Sequence, residues 1–273
     1  MCRTCGCGDD GARLTRLDAG PSAAHDPAHH GHPHHAPEVD GGSRTVRLEE
    51  AVLSRNEELA AGNRAEFAAR GLVVVNLMSS PGSGKTTLLE RTIRTLGRPV
   101  GVVEGDQETV VDAERVRAAG APVVQVNTGS GCHLDAGMLH RAMAALDPAD
   151  GTLVVVENVG NLVCPALFDL GETCRAVVMS VPEGEDKPAK YPHMFRTADV
   201  VLVNKVDLLP YVSFDLARCL DLLRRLRPEI TVLPVSATRG DGMADWLGWL
   251  RTRAAAAVGP ALPVIDSPAR PGV

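Results

Sequence analysis

The chain has 273 residues, 44% of them hydrophobic, with 34 acidic against 28 basic side chains and a formal net charge of −6. That balance argues against nucleic acid as a partner. No apolar run approaches the roughly 18 residues of a membrane span, and the N-terminus lacks the apolar stretch of a secretory signal. The expectation is a cytoplasmic protein with one main domain and a tail, in which the seven cysteines are ligands, reactive groups or buried thiols rather than a disulfide framework.

The chain opens with Cys2, Cys5 and Cys7. Thiolates and imidazoles are ligands for nickel, zinc and copper, whereas Mg2+ prefers oxygen, so this head stands apart from any phosphate chemistry. With the α-amine of Met1, three thiolates supply four donors in one plane, which Ni2+ accepts; the short spacings also allow the tetrahedron that Zn2+ prefers. His25, His29, His30, His32, His34 and His35 add weaker metal sites, or form a solvated linker. Residues 8–43 are rich in Gly, Pro, Ala, Asp and His without helical or strand period, so 1–43 read as a disordered metal-binding tail. From 44 to 70, Val46, Leu48, Val52, Leu53, Leu59 and Phe67 are spaced as in one or two amphipathic helices leading into the core.

Residues 71–258 alternate short apolar runs with amphipathic segments. Strands are predicted at 72–78, 100–104, 122–126, 152–157, 176–181, 200–204 and 230–235, and helices at 86–96, 107–119, 136–146, 215–226 and 246–258. This order predicts an α/β fold, a mostly parallel sheet flanked by helices, with ligands at the carboxyl ends of its strands. Trp246 and Trp249 are expected to anchor the last helix, and 259–273 to form a loose tail.

The first strand runs into Ser79-Ser80-Pro81-Gly82-Ser83-Gly84-Lys85-Thr86-Thr87. This is a P-loop, with Ser79 in place of the usual first glycine. Gly82, Ser83 and Gly84 cradle phosphates with backbone N–H groups, Lys85 reaches the β and γ phosphates, and the Thr86 hydroxyl ligates Mg2+. Glu104-Gly105-Asp106 closes the second strand. The third is followed by Cys132-His133. Glu157-Asn158-Val159-Gly160 closes the fourth, where Ras-like proteins carry DxxG; Glu157 would hold Mg2+ and the Gly160 N–H would sense the γ-phosphate. Asn161 stands where those proteins place a water-orienting Gln, so slow intrinsic hydrolysis is expected, with Asp106 a candidate for positioning the water. Cys164 lies in the same loop. In a parallel sheet the loops of Cys132-His133 and Cys164 emerge at the phosphate edge, so either the three side chains meet as an incomplete soft-metal site, one donor short of a tetrahedron, or Cys132 and Cys164 are small buried residues.

Asn204-Lys205-Val206-Asp207 follows the sixth strand. Asp207 can accept from guanine N1–H and from the exocyclic amine, a donor pair that adenine lacks, and so selects GTP. Ser236-Ala237, after the last strand, resembles the loop whose backbone N–H contacts guanine O6. Lys187 and Lys190 lie in a Pro-rich loop and read as solvated charges, with a phosphate or interface role the alternative; His140 and His193 read as surface or loop residues, and Cys174 and Cys219 as buried thiols.

Taken together, the MCRTCGC head, the histidine run, NLMSSPGSGKTTLLE, EGDQET, GCHLD, ENVGNLVCPA, SVPEGEDKPAKYP and NKVDLLP resemble the HypB family of nickel-insertion GTPases in nickel–iron hydrogenase maturation. The resemblance covers nearly the whole chain. It implies a dimerising GTPase of the class of the signal-recognition GTPases and the nitrogenase iron protein. Its partners would be a HypA-type nickel metallochaperone and the hydrogenase large-subunit precursor. It further implies a tight nickel site at Cys2, Cys5 and Cys7, and a weaker site for nickel or zinc at Cys132, His133 and Cys164 in a homodimer interface. Leu208, Leu209 and Val212 are candidates for dimer contacts, or for the start of a core-facing helix. The alternatives are a related urease- or cobalamin-type metallochaperone GTPase, and a metal-storage protein whose assembly GTP regulates.

Overall fold

Every residue of Val73–Ser79 (β2) is buried, as a strand covered on both faces must be. In the computed structural model, which describes residues 13–16, 41–107, 110–129 and 131–258, β2 lies inside an eight-stranded sheet. The other strands are Arg13–Arg16 (β1), Val100–Asp106 (β3), Val123–Asn127 (β4), Leu153–Glu157 (β5), Cys174–Ser180 (β6), Val200–Asn204 (β7) and Thr231–Pro234 (β8). Their order across the sheet is β1-β4-β3-β5-β2-β6-β7-β8. All neighbouring pairs are parallel except β1 with β4.

The helices are Gly41–Ala69 (α1), Lys85–Thr95 (α2), Val111–Ala118 (α3), Ala136–Leu146 (α4), Lys187–Lys190 (α5), Pro192–Thr197 (α6), Leu216–Leu226 (α7) and Met243–Val258 (α8). Strand alternation distributes them over the two faces. Val73, Val75 and Leu77 pack with Leu88 and Leu89 of α2, Val116 of α3 and Trp246 and Leu250 of α8. Val74, one residue out of phase, packs on the other face with Phe67 of α1 and Leu139 and Met143 of α4. A third cluster, around Phe195, Met179 and Leu223, fills the β6–β7 side under α6 and α7.

The expected fold class is the observed one, and the seven predicted strands agree with β2 to β8 to within two residues at either end. Three features differ. Residues 13–16, expected inside a structureless tail, pair antiparallel with β4 from Arg13↔Asn127 to Arg16↔Val124. This strand closes an open sheet edge and leaves Leu14 exposed, so it shows no burial pattern in the sequence. The lead-in is a single helix that begins at Gly41. The loop containing Lys187 and Lys190 carries α5 and α6, each with Pro in its first turn and too short to display a period. The metal ligands expected at Cys2, Cys5, Cys7, His25, His29, His30, His32, His34 and His35, and the C-terminal tail at 259–273, lie outside the described residues. No helix among the described residues is long and apolar enough to cross a membrane.

Trp246 anchors α8 as expected. Its ring is 2% exposed, its Nε1 donates to Thr92 Oγ1 of α2 at 2.9 Å, and it stacks on Trp249 at 5.5 Å between centroids. Trp246→Ala is expected to lower unfolding stability by about 3–5 kcal/mol and Trp246→Phe by about 1–2 kcal/mol, measured by urea denaturation.

Candidate functional site

The carboxyl ends of β2, β3, β5 and β7 open onto a cavity of about 510 Å³ whose lining includes Gly82, Gly84, Lys85, Thr86, Asp106, Glu157, Gly160 and Lys205. It therefore gathers expected phosphate and switch residues from four separate segments. Lys85 Nζ donates to Ser79 Oγ at 2.8 Å, so the serine at the first P-loop position holds the lysine at the cavity floor. Thr86 Oγ1 donates to Glu157 Oε1 at 2.8 Å. Parallel register sets Glu104 of β3 opposite Glu157 of β5. Both are buried, and Oε2 of each has no hydrogen-bond partner among the described residues. Burial raises both carboxyls above the usual range, and the charge of Glu157 raises Glu104 further. Two facing buried carboxylates with orphaned oxygens beside a threonine hydroxyl are a donor set that a hard divalent cation fits.

The base end is held to the phosphate end. Asn204 Nδ2 donates to Ser83 O at 2.8 Å, and Lys205 Nζ to Gly82 O at 2.7 Å. Asp207 Oδ1 accepts from Ser236 Oγ at 2.6 Å, which orients the carboxylate that sequence reasoning assigned to guanine. In the Ser236-Ala237 loop, expected to contact guanine O6, the Ala237 N–H donates to Asn204 Oδ1 at 3.1 Å. Leu209 packs on the third core cluster, whereas Tyr211 and Val212 just beyond it are exposed.

The second constellation converges too. One ligand atom from each of Cys132, His133 and Cys164 lies within 4.8 Å of the others. His133 is buried against Phe168, with ring centroids 3.9 Å apart. Burial pulls its pKa down, with the Asp135 charge opposing, which favours the neutral ring, the form that ligates metals. Both cysteine thiols are partly accessible. Cys174 and Cys219 are buried, as expected, with thiols pushed up to about 12 and about 11 chiefly by desolvation.

The cavity and the cysteine cluster are joined by residues 157–161. Glu157 bonds Thr86. Asn158 Oδ1 accepts from Leu134 N at 3.2 Å and from Val159 N at 2.9 Å, while its Nδ2 donates to Asn76 Oδ1 at 3.2 Å. Gly160 lies against the P-loop, where a Cβ would stand 3.1 Å from Pro81 Cα. Asn161 Nδ2 donates to Cys132 O at 3.3 Å. That bond carries Asn161 to the cysteine loop.

Several residues in and around the cavity were given no site role from the sequence. Glu104 was legible as the acid closing β3, but its pairing needs the register. Asp112 and Arg115 of α3 line the cavity, and Arg115 is held by Asp112 at 3.0 Å, Glu90 at 3.1 Å and the Thr87 hydroxyl at 3.1 Å. In sequence they read only as the polar face of a helix. Lys187 ion-pairs with Glu183 at 3.7 Å; Glu183 also accepts from Ser80 of the P-loop and from Ser180, so this lysine braces the loop. Lys190 pairs with Asp186 at the surface.

Residues 73–234 match the CobW/HypB/UreG nucleotide-binding domain. The chain is 56% identical over 218 residues to the hydrogenase maturation factor HypB of Azotobacter vinelandii, covering 79% of this chain and 72% of the relative. It is 47% identical over 287 aligned positions to the HypB of Escherichia coli K12, covering 93% and 99%. Among solved structures, Helicobacter pylori HypB in complex with nickel superposes with a TM-score of 0.71 at 36% identity, covering 76% of this chain and 99% of that one.

The thiol environments make a chemical prediction. Iodoacetamide at pH 8 is expected to modify Cys132 and Cys164 well before Cys174 and Cys219, read by peptide mapping on the folded protein. Equal rates at all four would contradict the burial described.

Proposed function

This chain belongs to the HypB family of hydrogenase maturation factors, within the CobW/HypB/UreG nucleotide-binding proteins, and we propose that it is a GTP-hydrolysing nickel metallochaperone serving the hydrogenase large-subunit precursor. The observation that supports this reading is the five-residue segment 157–161, which touches the P-loop at one end and the Cys132-His133 loop at the other. A nucleotide cavity that shares a short segment with a soft-metal cluster suits a protein that loads or releases metal according to nucleotide state.

In this reading GTP lies along the cavity with its phosphates on the N–H groups of 82–87. Lys85 exchanges the Ser79 hydroxyl for the β and γ phosphates. Mg2+ would be held by the Thr86 hydroxyl with Glu157, and Glu104 behind it, and would neutralise charge on the phosphate oxygens. Asp106, in the cavity wall, orients the water that attacks the γ-phosphorus, giving GDP and inorganic phosphate. Asp207 selects guanine. Asn161 serves the metal loop rather than the water, which fits slow intrinsic turnover.

Nickel is the cargo. Cys132, His133 and Cys164 offer three donors for Ni2+ or Zn2+, and a fourth comes from water or from a second subunit, consistent with a homodimer. Cys2, Cys5 and Cys7 would form a separate store, with the tail histidines as weaker sites. A HypA-type metallochaperone is the proposed partner.

Replacement of Asp207 by Asn is expected to weaken GTP binding about 10- to 100-fold and to shift preference towards XTP, whose 2-oxo group accepts from the new amide. Nucleotide titration measures both, and GTP binding equal to the parent would remove Asp207 from the base site. Lys85→Ala is expected to abolish phosphate release while nickel bound at Cys2, Cys5 and Cys7 is unchanged. Loss of that nickel in the variant would show that the two chemistries are not separable.

A further inference from the structure

The loops that bring Cys132-His133 and Cys164 together are both fastened to α1. Asn56 is buried there, at 6% exposure; its Oδ1 accepts from Ala136 N at 2.9 Å and its Nδ2 donates to Asp169 O at 2.8 Å. Asn63, at 2% exposure, donates from Nδ2 to Ala136 O at 2.9 Å and to Leu170 O at 2.9 Å. Seven residues apart, the two amides lie on one helical face. Ala136 comes three residues after His133 and opens α4. Asp169 and Leu170 follow Phe168, the ring against His133, in the loop that starts at Cys164. Each amide thus bridges one metal-ligand loop to the other. Gly171, with φ +81°, lets the helix come this close, since a Cβ there would sit 2.4 Å from Ala60 O.

We propose that Asn56 and Asn63 are positioning residues of the internal metal site, setting the separation between Cys132-His133 and Cys164 through α1. This rests on the reading that those three side chains bind nickel. Neither amide touches a ligand atom. Their leverage comes from cost: a buried amide left unpaired, or a freed backbone group of the loops, loses its hydrogen bond without gaining water, so the two loops stay in one relative placement while both amides are engaged. Leu134 N is held from the other side by Asn158 of the 157–161 segment. The loop of Cys132 is therefore suspended between that segment and α1. Because α1 follows directly on residues 1–40, the helix that fixes the internal site also carries the cysteine- and histidine-rich tail.

The test uses the full chain with Cys2, Cys5 and Cys7 changed to Ser, titrated with Co2+, whose thiolate charge-transfer band reports the internal cysteines. A band in this parent that Cys164→Ala removes establishes the internal site; its absence overturns that reading and the proposal with it. Given the band, Asn56→Ala and Asn63→Ala are each expected to weaken Co2+ binding about 10- to 100-fold, the range for residues that orient ligands, with a changed d–d spectrum and parent-like GDP affinity. Phe67→Leu is the control, because Phe67 packs α1 on the core in the same apolar cluster as Leu134 and Leu170 of the two loops but makes no hydrogen bond to either. It should lower stability and leave Co2+ affinity unaltered. Parent-like affinity and spectrum in both alanine variants would overturn the proposal, as would an equal loss in Phe67→Leu. If the alanine variants do not fold, Asn63→Ser, which keeps one donor, gives the same reading: a several-fold loss supports the positioning role and parent-like binding refutes it.

Discussion

The arrangement depends on the carboxyl end of β5, where Glu157 is pinned between Thr86 of the P-loop and Glu104 of the neighbouring strand. Two buried carboxylates cannot both remain charged side by side without a compensating cation. The register of a parallel sheet nevertheless puts them opposite one another, at the point where a nucleotide and its Mg2+ would arrive. The next four residues inherit that position. Asn158 spends both ends of its amide on the metal-ligand loop and on β2, Gly160 abuts Pro81, and Asn161 holds the Cys132 carbonyl.

Magnitudes indicate how this segment behaves. Each buried polar group it satisfies would cost about 1–3 kcal/mol if left unpaired. Three such bonds, in sequence along one short stretch, make partial rearrangement expensive, so the stretch favours moving between discrete arrangements over deforming gradually. In the proposed coupling, a displacement at Glu157 or Gly160 is passed to Leu134 N and Cys132 O, and from there to the sulfur and imidazole groups. α1 is fixed to the same loops by Asn56 and Asn63, so the cluster of Cys132, His133 and Cys164 is held by two sets of hydrogen bonds.

Contiguous motifs made much of this legible in the sequence. The P-loop, Asn204-Lys205-Val206-Asp207 and the apolar runs of β2 to β8 each carry their signal within a few neighbouring residues. The meeting of Cys132, His133 and Cys164 followed from the rule that loops of a parallel sheet emerge at one edge. The asparagines did not declare themselves. Asn56, Asn63, Asn76 and Asn158 carry no period, and their partners on other elements lie 24 to 113 residues away. Asn161 read as a shortened glutamine because only the fold shows its amide turned to Cys132. The strand at Arg13–Arg16 was hidden for a different reason, since an exposed edge strand buries no alternate residue.

The central claim is that nucleotide state and the internal metal site are coupled through residues 157–161. Nickel affinity, measured by calorimetry on the full chain with Cys2, Cys5 and Cys7 changed to Ser and loaded with GDP or with a non-hydrolysable GTP analogue, tests it most directly. The account predicts affinities that differ by a factor of roughly 5 to 150, with the difference lost in Asn161→Ala. Equal affinities in the two nucleotide states would contradict it and leave Cys132, His133 and Cys164 as a static site.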